Sequence, residues 1–238
     1  MRMPDPIAQY MEAHAWGQMH LEWHTERRWD RLPGDARAYA EQQGWARAAH
    51  QEGDAGNGLE FLAMHREMLH DLVEHDASAA PLLAGWTTPP TDPHAPADPL
   101  PAGATTPFDP QMAAALDRLE HHLDSFASDD ELGRYIETSF GTTDRTAGIH
   151  NYLHNRFQDP SSAIDIGNPA VNLLNQRFWR LHGWIDHVWS AWRAQAHASD
   201  TAPDYVAAMQ AAHAAMTMKM KGMRAGPPPK SLIDAVRP

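Results

Sequence analysis

Residues 147–157 read AGIHNYLHNRF, and residues 177–192 read RFWRLHGWIDHVWSAW. Both stretches space their apolar residues as a helix does, and the first carries His150 and His154 four positions apart. On an α-helix such residues project from one face a turn apart, so the two rings can aim at a single point. That geometry suits a metal ion. The second stretch sets His182 among Phe178, Trp179, Trp184 and Trp189. Core packing accounts for those aromatics but gives no reason for the histidines. A lone pair at i, i+4 still says little, because the chain has sixteen histidines. His20 with His24 makes another such pair.

Helical spacing continues outward from these segments. Met11, Trp16, Met19, Trp23 and Trp29 predict a helix from about Ile7 to Leu32, stopped by Pro33-Gly34. Ala36 to about His50 predicts a second helix, and QEGDAGNG at 51–58 a loop. Residues 59–75 restart a helix with Phe61, Leu62, Leu69, Leu72 and Val73 on its buried side. From Ala77 to Pro110 the composition turns to Pro, Ala, Thr and Gly, which reads as an extended surface connection. Gln111 to Phe126 follows as a helix with Asp109 as N-cap and Pro110 in its first position. Asp130 to Thr138 predicts a shorter helix, and Val171 to about Ala198 the longest of the second half. No alternating strand pattern of any length occurs.

The expected fold is therefore an all-α helical bundle, arranged as a single domain over 1–238. Its first half spans 7–75, a Pro-rich connection 76–110, the second half 111–198, and a terminal helix with tail 199–238. A chain of 238 residues that is 42% hydrophobic can bury a sizeable core.

A formal charge of -12 without a long Lys/Arg patch argues against nucleic acid or an anionic membrane as partner. No apolar run approaches the roughly 18 residues of a membrane span. The opening MRMPDPIAQYMEAH lacks the apolar core of a secretory signal, so a cytoplasmic location is expected. The absence of cysteine excludes disulfides, thiolate nucleophiles, zinc ribbons and iron–sulfur ligation. Any metal must be held by His, carboxylate or Met.

Taken with their surroundings, the two opening stretches resemble the second copper motif of the tyrosinases and related type 3 copper proteins. That motif runs His-Asn-x-x-His, a spacer, then Phe-(Phe/Trp)-x-x-His-x-x-x-Asp with a Trp shortly after. Its elements fall on His150, Asn151 and His154, then Phe178, Trp179, His182, Asp186 and Trp189. EFLAMHREML at 60–69 resembles the family's Phe-Leu-Pro-Trp-His-Arg-x-x-Leu, with Ala63 for Pro and Met64 for Trp. It places the last ligand of the first copper at His65.

The resemblance implies a tyrosinase/haemocyanin-like helical core holding two copper ions, with dioxygen as co-substrate. It implies oxidation of small phenolic, catecholic or aminophenolic substrates to quinones, with ortho-hydroxylation as an open extension. Neutral imidazoles serve both Cu(I) and Cu(II), and three per ion leave a face for dioxygen. His150, His154 and His182 would hold the second copper. For the first, the family's middle histidine falls near Gly56, so His50 is taken in its place across an enlarged loop. The remaining ligand should come from an early helix: His24 is preferred, with His20 and His14 as alternatives.

Asp186 would steady an imidazole, and Glu74, one residue out of register, would do so for the first copper or serve as a surface charge. Asn151 would hold, with a carboxylate, a water that helps deprotonate a phenol; Glu137 and Asp144 lie at spacings that do not match cleanly. Leu181 replaces a second adjacent histidine often present in the family, and Asn175-Gln176 replaces an Asp-Pro.

A copper-delivery protein is a compatible partner, and the oligomeric state is left open. The alternative of a different class is a dioxygen-binding or copper-holding protein without turnover, since haemocyanins share the metal core. A metal-free helical interaction module is a third. Met216, Met218, Met220 and Met223 fit either core filler of a terminal helix or soft ligands for copper loading.

Overall fold

The computed structural model describes residues 1–92, 94, 99–101, 106–217 and 227–238. Among these the regular structure is helical: α1 (Asp5–Ala13), α2 (Trp16–Arg27), α3 (Gly34–Gln43), α4 (Asn57–His75), α5 (Ala80–Leu83), α6 (Pro110–His121), α7 (Asp129–Glu137), α8 (Ile149–Phe157), α9 (Gln176–Gln195), α10 (Pro203–Thr217) and α11 (Lys230–Val236). Extended pairing among the described residues is confined to an isolated antiparallel bridge between Arg2 and Asn175. No described helix is long and apolar enough to cross a membrane.

Local chemistry sets several of the boundaries. The Asp109 carboxylate accepts the Gln111 N–H with Pro110 at the first helical position, as its sequence predicts. Ser128 caps α7 and Asn175 caps α9 in the same way. Four helices are shorter than expected: α6 ends at His121 rather than Phe126, α9 runs from Gln176 to Gln195 rather than from Val171 to Ala198, and two earlier ones are also cut. The stretch Ile7–Leu32 breaks at Ala15, which takes a left-handed φ of 55° with no Gly or Pro to announce it. The second ends at Gln43 rather than His50 because Gly44, at φ 84°, closes it with a left-handed cap. The stretch expected to be wholly extended contains a helical turn, α5.

Helix α4 is the centre of the bundle and packs against α7, α9 and α10. Its first three turns are buried nearly all round, from Asn57 through Leu59, Phe61, Leu62, Ala63, Met64 and His65 to Leu69. Such a helix belongs in a core and not at its edge. Val73, expected on the buried side, is exposed. Phe178, Trp179 and Trp189 of α9 are fully buried against it. A smaller cluster of Leu21, Leu32, Ala36, Tyr39, Trp45, Leu232 and Val236 joins α2, α3 and α11.

The start of α4 meets α7 by backbone contact. A Cβ on Gly133 would fall 2.1 Å from the Gly58 carbonyl oxygen, so only hydrogen fits there. Gly133→Ala is expected to force the helices apart at a cost of about 1–3 kcal/mol. Thermal unfolding would read this as a Tm lowered by several degrees. An unchanged Tm would show that the crossing is not tight.

Candidate metal centre

Six buried histidines converge between four helices. His20 and His24 project from one face of α2, and His65 joins them from α4. His150 and His154 do the same on α8, and His182 joins them from α9. Within each triad the candidate ligand nitrogens lie within 4.8 Å of one another. The triads adjoin: the His65 and His182 rings stack with centroids 4.2 Å apart, and His65 and His150 lie at 6.1 Å. Phe178 stacks on His182 at 3.9 Å, and Phe61 lies 4.6 Å from His65 and 4.8 Å from His150. Two apolar rings thus wall the cluster.

The hydrogen bonds fix which nitrogen carries the proton. Nδ1 of His65 faces the Phe61 carbonyl at 2.8 Å, and Nδ1 of His182 faces the Phe178 carbonyl at 2.7 Å. His154 Nδ1 faces the Ile166 carbonyl at 2.7 Å, and His20 Nδ1 the Pro169 carbonyl at 3.1 Å. A carbonyl only accepts, so Nδ1 is the donor in each and Nε2 keeps a bare lone pair.

His150 obeys the same logic through a side chain. Its Nδ1 lies 2.9 Å from Asn151 Oδ1, while Asn151 Nδ2 donates to Glu52 Oε1 at 2.9 Å. The ionised Glu52 can only accept, which fixes the amide orientation and, through it, the His150 tautomer. Glu52 is held in turn by Arg28 at 2.9 Å and Arg31 at 3.0 Å.

The Nε2 atoms of His65, His150, His154 and His182 are buried without any hydrogen-bond partner. Those of His20 and His24 face each other at 3.1 Å. An unsatisfied buried acceptor costs about 1–3 kcal/mol, and here several share one space. A cation in each triad converts those lone pairs into ligand bonds, so the residues fit a pair of metal ions. Burial pushes every one of these imidazoles down from its ordinary value, His20 to about 4, His154 to about 3, and the other four well below it. All six are neutral at pH 7, the form that binds metal.

Sequence and structure agree on His65, His150, His154 and His182, and differ elsewhere. His20 and His24, weighed as alternatives, stand in the cluster together. His50 lies outside it: its side chain is 45% exposed, its Nδ1 pairs with Glu60 at 2.7 Å, and its ring packs over Gly56. His14 is exposed at the end of α1 with Nδ1 on the Tyr10 carbonyl.

Asp186 pairs with Arg66 at 2.5 Å and contacts no imidazole nitrogen; backbone carbonyls do the orienting expected of it. Glu74 is exposed on α4. Asn151 has its carboxylate in Glu52, which nothing in its loop sequence singled out. Glu137 instead accepts from Asn57 at 2.5 Å, and Asp144 pairs with Arg118. Burial pushes the Glu137 carboxyl well up, with Glu52 adding to it. Burial also pushes Glu52 up, but Arg28, Asn151 and Arg31 together outweigh this and hold it below the usual carboxylate range. Met218, Met220 and Met223 lie outside the described residues, while Met216 packs partly buried against the core.

No protein-family model matches the chain, and no curated protein matches it significantly.

Proposed function

We propose that the chain is a tyrosinase-like dicopper oxidase that uses dioxygen to oxidise phenolic, catecholic or aminophenolic compounds to quinones. The observation that carries this reading is the pair of adjoining triads whose imidazole Nε2 atoms are aimed at shared space without partners. Copper is favoured because the donors are neutral nitrogens alone, with no carboxylate in either triad, a set that suits an ion cycling between Cu(I) and Cu(II). His20, His24 and His65 would hold one ion, and His150, His154 and His182 the other. Bound there, copper supplies the redox couple that passes substrate electrons to dioxygen.

The protein's own work is orientation and exclusion of water. The carbonyls of Phe61, Ile166, Pro169 and Phe178 hold four rings in the metal-binding tautomer. Phe61 and Phe178 keep the space between the triads apolar. Asn151 holds His150 and leans on Glu52. Glu52, held by two arginines, and the Asn151 amide would together hold the water that helps deprotonate an incoming phenol, a step that a more acidic catechol needs less.

At full copper loading, Asn151→Ala is therefore expected to lower monophenol kcat/KM by on the order of tenfold or more, with catechol oxidation largely kept. Equal losses on a matched phenol and catechol would assign Asn151 to the site's structure alone.

A second reading draws on a specific observation: the six histidines are only 1–4% exposed. A centre so closed admits dioxygen more readily than an aromatic ring, which favours a dioxygen-binding protein without turnover. The separating experiment is copper analysis followed by oxygen uptake with catechol. Two coppers per chain with uptake support the oxidase. Two coppers with reversible oxygen binding and no uptake support the carrier, and a chain purified with tight zinc or iron that takes up no copper would refute both.

A further inference from the structure

One loop serves both triads. Its Pro169 carbonyl orients His20 and its Ile166 carbonyl orients His154. The shape of that loop depends on Asp165, which is 2% exposed. One carboxylate oxygen, Oδ1, accepts the N–H of Asp159 at 2.8 Å and of Gly167 at 3.0 Å. The other, Oδ2, is taken by Arg237 Nη1 at 2.8 Å, which also donates to Gln158 Oε1 at 3.2 Å.

The backbone carbonyl of Arg237 accepts from Arg28, which caps α2 four residues after His24 and is a partner of the Glu52 that fixes Asn151. Arg237 itself is placed by α11, whose Leu232 and Val236 are fully buried and whose Ser231 bonds Asp35. A residue far in sequence from every ligand therefore joins the two polar frameworks behind the histidines.

We propose that Arg237 is a positioning residue for the metal centre: by pairing with Asp165 it fixes the 165–169 loop, and with it the ring orientation of His154 and His20. The proposal rests on reading the triads as metal sites. Without the guanidinium, a buried carboxylate is left unpaired, and the loop must loosen to bring water to it. The carbonyls presented to His154 and His20 then shift. Loss of such an outer hydrogen bond to a ligand histidine costs about 10–100-fold in metal affinity.

The test is copper(I) affinity of the full chain, read anaerobically by competition with a coloured copper(I) chelator, with helical circular dichroism followed in parallel. Arg237→Ala and Asp165→Asn are each expected to weaken binding about tenfold or more. The double variant should be no weaker than either alone, because the two act through one contact. Arg237→Lys should recover part of the loss. Ser231→Ala removes an exposed bond at the start of α11 while Leu232 and Val236 stay buried and Arg237 keeps Asp165, so affinity should be unchanged.

Additive losses, or an unaltered affinity in Arg237→Ala, would overturn the proposal. So would an equal loss in Ser231→Ala, which would reduce the role of Arg237 to docking the helix. If Arg237→Ala unfolds, Asp165→Asn and Arg237→Lys carry the decision. A wild-type chain that binds no copper would instead sink the metal reading of the triads, and this proposal with it.

Discussion

His182→Ala is expected to take the protein from two bound coppers to one and to abolish oxygen uptake with catechol. Losing a hydrogen bond behind a ligand costs about 10–100-fold, so losing the ligand itself should cost more than about 100-fold in activity. The helical circular dichroism should largely survive, since α9 keeps its Asn175 cap and its buried Phe178, Trp179 and Trp189. His50→Ala is the matched control. Its ring sits half-exposed against Glu60, and two coppers should remain after its removal. Unchanged turnover in His182→Ala, or loss of one copper in His50→Ala, would refute the ligand sets.

Acid should unfold the metal-free protein far more readily than the copper-loaded one. Each of the six imidazoles has its folded-state pKa depressed by burial, His20 to about 4 and His154 to about 3, while an unfolded histidine titrates near 6.5. Below that value the unfolded chain binds protons that the fold refuses, so stability is full above about pH 6.5 and is lost as pH falls toward the folded values. Each imidazole that stays neutral gives up roughly 1.4 kcal/mol per pH unit. Six together approach the whole stability of an ordinary domain, about 5–15 kcal/mol, near pH 5.

Glu137, Glu22 and Glu26, whose carboxyls burial raises, Glu22 to about 7, work in the opposite direction. They are three against six. Copper, if bound as proposed, would occupy the nitrogens and defer the loss to the pH at which protons displace it. Calorimetry at pH 7.5 and 5.5 on both forms measures this. A metal-free Tm that does not fall would show that water reaches the rings.

The helical class and the second triad could be read from the sequence because both rest on local periodicity. His150 and His154 are a turn apart, and the capping residues Asp109 and Pro110 stand beside the helix they start. The first triad was legible by the same rule. His20 and His24 have the same i, i+4 spacing, but the family's spacing, which puts a middle ligand near Gly56, points to His50 instead. What local reading could not supply was long-range. Ala15 adopts its left-handed turn with no Gly or Pro to mark it. Glu52 meets Asn151 across 99 positions, and Asp186 meets Arg66 across 120. Such pairs follow from the packing of α4 against α7 and α9, which no single stretch of sequence encodes.

The acceptor that orients His20 lies 149 positions further along the chain. During synthesis, the segment carrying His20, His24 and His65 emerges well before Pro169. The nascent first half can present three histidines yet has no carbonyl to set the tautomer of one of them. Vectorial synthesis thus imposes an order on maturation: the earlier-made triad is completed by the later-made half. Any ion held tightly there would be captured after translation, timed by the folding of the whole chain.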